Sequence, residues 1–159
     1  MIWGALVGGL VGTVLLTTAM RAAGELGLTR MDLPFLLGTA VTADRVRAKL
    51  IGYAVHFIFG LVFALGYWAV FATTGHSGVV IGALLGLAHA LFAGTALVNV
   101  ILPAVHPRRG TGFDAAGSSA LLEPPGFMLA NYGRQTMLAM ILAHLAYGVV
   151  VGEFAALAA

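Results

Sequence analysis

The fold is decided by the stretch from Lys49 to Thr73, which reads KLIGYAVHFIFGLVFALGYWAVFAT. It carries no formal charge after Lys49, and a helix of this length can cross the roughly 30 Å hydrocarbon core of a bilayer. Its one histidine, His56, shares a helical face with Gly60 and Tyr67. The stretch therefore predicts a transmembrane helix whose imidazole faces protein and not lipid.

The composition of the whole chain supports the same class. Of 159 residues, 60% are hydrophobic and 9% are charged, whereas about a quarter of the residues of a soluble domain are charged. Cysteine is absent, which excludes a disulfide framework and a thiolate metal site. The net charge is only +2, so we expect the lipid bilayer as a partner and no nucleic-acid binding.

Four apolar runs are long enough to span a membrane. We predict helices at about 2–20, 50–73, 79–102 and 137–157, with Pro103 ending the third. The chain is then one all-α domain over 1–159, an integral membrane four-helix bundle. The first run precedes the first cation, Arg21, which favours a retained helix over a cleaved signal.

Glycines recur four residues apart in two of these runs. They are Gly4, Gly8 and Gly12 in the first run, and Gly82, Gly86 and Gly94 in the third, where Ala90 completes the spacing. Such stripes allow close helix packing. We expect them to pack within the bundle, or against a second copy or a partner membrane subunit.

The charges predict an orientation. All eight Lys and Arg residues fall in the two long connectors, and cytoplasmic loops carry an excess of these residues. We therefore expect a multi-pass membrane protein. The connectors would be cytoplasmic, and both termini and the TGHSG turn (residues 74–78) would lie outside.

The two halves of the chain also resemble each other, as repeat one over about 2–73 and repeat two over about 79–157. GALVGGLVGT (4–13) aligns with GALLGLAHAL (82–91), and an acid-proline-phenylalanine island follows in each half. The matched residues are Asp32, Pro34 and Phe35 with Glu123, Pro125 and Phe127, then His56 and Gly60 with His144 and Gly148. This pattern predicts two duplicated transmembrane hairpins related by an axis along the membrane normal. Chance similarity between apolar sequences is the alternative.

Two phrases, MDLPFLLGT (31–39) and LEPPGF (122–127), carry a resemblance to a known group. The chain resembles an uncharacterised family of small bacterial four-helix integral membrane proteins, a domain of unknown function. The resemblance covers most of the chain and implies four spans in the bacterial inner membrane, but no chemistry. The apolar island at 31–38 is too short to span, so we expect it at the interface or in a partial re-entrant turn.

Histidines inside the spans are the candidate functional residues, because ionisable groups are costly there. His56 and His144 are candidate axial ligands of a b-type haem. Imidazole with thioether suits copper, and imidazole with carboxylate suits zinc or iron. The candidate metal ligands are His56, His89, His144, Met140, His106, Asp32 and Glu123. The alternative is that neutral imidazoles bond to backbone carbonyls or tyrosines and only hold the helices together.

Three functions follow from these residues. The first is a buried histidine site that binds a metal ion or haem for electron or proton movement. The second is a non-catalytic accessory or assembly subunit of a larger membrane complex, in which the histidines are structural. The third is a proton-coupled transporter of small solutes. The sequence does not decide whether the protein is an enzyme.

Overall fold

In the computed structural model of the chain, residues 1–106 and 125–159 are described, and this part forms helices and turns without any strand. The helices are α1 (Ile2–Glu25), α2 (Leu33–Thr39), α3 (Arg45–Thr74), α4 (Val79–Val105) and α5 (Thr136–Leu157), and a short 3-10 segment covers Phe127–Tyr132. The predicted all-α class is confirmed for the described residues. Glu123 lies outside them.

The four longer helices, α1, α3, α4 and α5, are each long and apolar enough to cross a membrane. Much of their apolar surface faces outward. Only 22% of the most apolar window of α4 is buried, and outward-facing side chains such as Leu50 and Val80 are exposed. Because a soluble monomer seldom exposes large apolar patches, this surface is typical of a membrane protein.

The observed helices are longer than the predicted spans. α1 continues to Glu25 and α3 begins at Arg45, where the Asp44 carboxylate accepts a hydrogen bond from the Arg47 backbone amide at 2.7 Å. This side-chain cap satisfies an otherwise unpaired amide of the first turn. Polar residues therefore extend the helices beyond the apolar runs that predicted them.

The expectation that Pro103 ends the third span is wrong, because α4 continues to Val105. Residues Ala93–Ile101 of α4 are π-helical, and Asn99 donates its side-chain amide to the Gly94 carbonyl, five residues back, at 3.1 Å. Pro103 follows this stretch at the start of a new α-helical turn. Proline is tolerated at that position because its missing amide would have no partner there.

The long helices form an open ring. α3 packs on α1, α1 on α5, and α5 on α4, whereas α3 and α4 make few backbone contacts with each other. The predicted twofold would relate the α1–α5 pair to the α4–α3 pair, and these two pairs are packed differently. The duplication stays a prediction, and the gap between α3 and α4 is the feature that shapes the site.

The glycine stripes are used inside the chain. A Cβ atom on Gly148 of α5 would overlap the Gly82 carbonyl of α4, and one on Gly8 of α1 would lie 2.9 Å from the Val151 Cα of α5. These glycines therefore allow backbone-to-backbone contact between neighbouring helices. Gly94, in the π-helical stretch, instead faces the methionine side chains Met128 and Met140.

The apolar island forms α2, which lies on α3. Asp32 caps its first turn by accepting from the Phe35 amide at 3.0 Å. A Cβ atom on Gly52 of α3 would overlap the carbonyl oxygen of Pro34. The short helix is thus held against the longer one by direct backbone contact.

Different segments of the chain meet at the two ends of the bundle. At one end the Met1 ammonium group donates to the Ala158 carbonyl, and the Gly78 amide donates to the Gly152 carbonyl at 3.0 Å. At the other end, the Arg30 amide donates to the Tyr132 carbonyl at 2.7 Å, which brings the two long connectors together. The termini and the TGHSG turn therefore share one end, and the connectors share the other.

Candidate functional site

A cavity of about 140 Å³ lies between the helices. His56 of α3, His89 of α4 and His144 of α5 all line it, in walls that are otherwise mainly apolar. His56 and His144 are buried, at 8% and 7% exposure. The structure thus brings together the three histidines that the sequence placed within spans.

Each imidazole is held through its Nδ1 atom. Nδ1 of His144 donates to the Met140 carbonyl at 2.8 Å, and Nδ1 of His56 and of His89 lie 3.3 Å from the hydroxyls of Thr17 and Tyr67 respectively. Among the described residues, none contributes a hydrogen bond to the Nε2 atoms of these three rings. A neutral His144 with Nδ1–H therefore has a lone pair on Nε2 for a ligand.

His89 sits among aromatic rings that bridge α3 and α4. Its ring stacks on Phe63 at a centroid separation of 3.6 Å and meets the edge of His144 at 4.7 Å. Tyr67 and Tyr147 also make edge contacts with it, at 6.1 and 5.7 Å. These rings fix the orientation of the imidazole although the two helix backbones lie apart.

The cavity opens sideways through the gap between α3 and α4. Phe59 of α3 lines it at 36% exposure, and Ile101 and Val105 of α4 line it at 44% and 68%. The π-helical stretch of α4 supplies further wall residues, including Ala93 and Val98. The opening is apolar and lies on the side of the bundle.

A polar groove of about 400 Å³ adjoins the cavity at the connector end. The two spaces share wall residues, which are Leu16, Met20, Met31, Leu33 and His56. The groove is also lined by Arg21, Arg30 and Lys49, and by the carboxylates of Glu25 and Asp32. His56 therefore lies between the apolar cavity and the charged groove.

The other predicted ligands are dispersed. Met140 lines the cavity. Asp32 lies in the groove, where it pairs with Lys49 at 3.2 Å. His106 is buried away from the cavity, with Nε2 lying 3.2 Å from both the Thr39 hydroxyl and the Leu36 carbonyl. His106 therefore ties the end of α4 to α2 and does not line the histidine cavity.

The predicted metal site stays a prediction. Within residues 1–106 and 125–159, no three His, Asp or Glu side chains gather closely enough to hold a metal ion. Glu123, the remaining candidate, lies outside these residues. Of the predicted ligand set, the cavity holds His56, His89, His144 and Met140, and the rings of His89 and His144 are in contact.

The cavity is also small for a haem. At about 140 Å³ it falls below the range of roughly 300–1,000 Å³ that is typical of cofactor pockets. The walls also carry the ring of His89, on which the ring of Phe63 stacks. The haem hypothesis would need these rings to move apart.

Two parts of the site were missed by sequence reasoning. Thr17 of α1 contacts His56, although a threonine in an apolar helix usually bonds to its own backbone. The Tyr147 hydroxyl donates to the Gly60 carbonyl, so the glycine of the His-x-x-x-Gly pattern provides a buried carbonyl that accepts from a neighbouring helix. Thr17 is a polar residue within an apolar run, and that is the signal by which it could have been found.

Comparisons with models of protein families, with curated proteins and with solved structures find no match to this chain.

Proposed function

We propose that the chain is an integral membrane protein that binds a lipid-soluble ligand in its histidine cavity. The ligand has an apolar body and a polar atom that hydrogen-bonds to an imidazole. The observation that carries this proposal is the lateral opening between α3 and α4, which joins the cavity to the outward apolar surface. In a bilayer, that surface faces the lipid chains, so a ligand dissolved in them reaches the histidines without crossing water.

The size of the cavity limits the bound portion. A space of about 140 Å³ is close to the engineered apolar cavity of about 150 Å³ that holds a benzene molecule. One ring or a short length of alkyl chain therefore fits, and the rest of the ligand extends into the opening. Burial of this apolar part supplies affinity, and the Nε2 atoms supply orientation.

The same histidines give the site a means to move protons. The rings of His89 and His144 are in contact, and Tyr67 and Tyr147 lie beside them. His56 joins this group to the polar groove. Histidines inside a membrane are among the residues that form proton relays. A bound ligand that gains or loses a proton would exchange it here, in line with the predicted role in electron or proton movement.

Photolabelling of the protein in liposomes tests the proposal. The probe is a decanol that carries a diazirine, and excess unlabelled decanol is the competitor. We expect excess decanol to suppress cross-linking at the cavity residues Leu97 and Leu129. It should not suppress cross-linking at the outward-facing Leu84. Equal competition at all three positions would mean that the probe meets only the outer surface, and would overturn the proposal.

A metal ion is the second candidate, because His144, His89 and Met140 share the cavity. A thioether is a soft donor that suits copper(I), and imidazole also binds copper. Loading the purified protein with copper(I) should then give one ion per chain, with loss of that ion in His144→Ala and retention in His106→Ala. If copper stays below one ion per chain and decanol fails to compete, the structural-histidine hypothesis of an accessory subunit takes first place.

The proposed orientation places the connector end in the cytoplasm, because Arg21, Arg30 and Lys49 lie there. We expect a cysteine introduced at Ser77, in the TGHSG turn, to react with an impermeant thiol reagent in intact cells. A cysteine at Val41, in the connector after α2, should react only after the cells are opened. The opposite labelling pattern would reverse the orientation.

A further inference from the structure

The polar groove extends the cavity at the end where the cationic side chains cluster. Arg21, Arg30 and Lys49 all line it, and His56 belongs to both spaces. We propose that groove and cavity together bind a lipid phosphate, with the phosphate in the groove and the start of its apolar chain in the cavity. This inference rests on the proposed function and names the class of ligand.

The geometry favours an amphiphile because the cavity and the groove differ in chemistry and adjoin each other. The cavity walls are mainly apolar, whereas the groove carries five formally charged side chains, namely Arg21, Arg30, Lys49, Glu25 and Asp32. A molecule with a charged head in the groove and an apolar chain in the cavity matches the chemistry of both spaces. The lateral opening then leads the chain onward into the bilayer.

The charge of the groove favours an anionic head. Three cations face two carboxylates, which leaves a formal excess of one positive charge. Arg21 pairs with Glu25 at 3.2 Å and Lys49 pairs with Asp32 at 3.2 Å, and all four side chains are well exposed. Since exposed ion pairs contribute little free energy, a phosphate can exchange for either carboxylate at small cost.

A phosphate gains more from these cations than a neutral head does. Guanidinium and ammonium groups form charge-assisted hydrogen bonds with phosphate oxygens, and these bonds are shorter and stronger than neutral ones. The hydroxyls of Thr17 and Tyr53 are further groove residues that can donate. The Glu25 and Asp32 carboxylates oppose an anion, so the head must replace them as partners of Arg21 and Lys49.

Competition photolabelling tests the inference with decyl phosphate and decanol, which share one chain and differ in their heads. In the wild type, we expect decyl phosphate to suppress labelling of Leu129 at about tenfold lower concentration than decanol does, which corresponds to about 1.4 kcal/mol. The ratio of the two inhibitory concentrations is the readout. It should fall to about one in Arg21→Gln combined with Lys49→Gln.

Arg47→Gln is the matched control, because Arg47 lies at the same end of α3 as Lys49 but does not line the groove. It should leave the ratio unchanged. A ratio near one in the wild type, or an equal fall in Arg47→Gln, overturns the lipid phosphate while decanol competition still supports the cavity. If neither decyl phosphate nor decanol competes with the probe, the proposed function itself is wrong.

Discussion

Replacing Gly52 with valine is expected to cost about 3 kcal/mol or more of the free energy of unfolding, in the upper range for overpacked positions. A Cβ atom at this position overlaps the carbonyl oxygen of Pro34. That oxygen belongs to the backbone of α2, so it cannot turn away as the end of a flexible side chain would. The variant must therefore push α2 off α3. Unfolding of the purified protein in mixed micelles, followed by circular dichroism, measures the loss.

Gly66→Val is the matched control on the same helix. A Cβ atom there meets nothing within 4 Å, and valine has a higher helix propensity than glycine, so the change should be neutral or stabilising by less than about 1 kcal/mol. Gly52→Val should also weaken ligand binding, because Leu33 and Leu37 of α2 line the cavity. Equal stability of the two variants would contradict the close α2–α3 contact.

Ala93→Phe is expected to reduce the competable photolabelling of Leu129 by at least about tenfold. Ala93 lines the cavity, and a phenyl ring is close in volume to the benzene molecule that a cavity of this size holds. The new side chain therefore occupies the space that the ligand needs. The loss is read in liposomes as the difference in cross-linking with and without excess decanol.

Ala88→Phe adds the same ring to the same helix at an exposed position, outside the cavity lining. In this variant, the probe should label Leu129 as it does in the wild type. If both variants label normally, the ligand does not occupy the cavity. If both lose labelling, the ring disturbs α4 wherever it is placed, and the steric explanation is wrong.

The long helices could be predicted because apolar length alone specifies them. The bounds 50–73 and 137–157 are close to α3 and α5, which begin at Arg45 and Thr136. The capped start of α3 depends on Asp44, and the continuation of α4 past Pro103 depends on the π-helical stretch. Hydropathy shows neither the Asp44 cap nor the π-helical stretch, so the start of α3 and the continuation of α4 were not predicted.

The site was predicted in part. Helical spacing predicted that His56 faces protein, and the structure places His56, His89 and His144 around one cavity. Met137 lies seven residues before His144 and so on the same helical face, yet Met137 is 43% exposed whereas Met140 is buried. The gap between α3 and α4 depends on which helices pair, and that information is not contained in the periodicity of any single helix.

Anomalous diffraction from crystals of the protein grown in lipid and soaked with a brominated decanol tests the central claim most directly. The account predicts a bromine peak inside the cavity, in contact with Val98 and bordered by His89 and His144, in the wild type and not in Ala93→Phe. Bromine peaks confined to the outward faces of the helices, with none between α3 and α4, would contradict it.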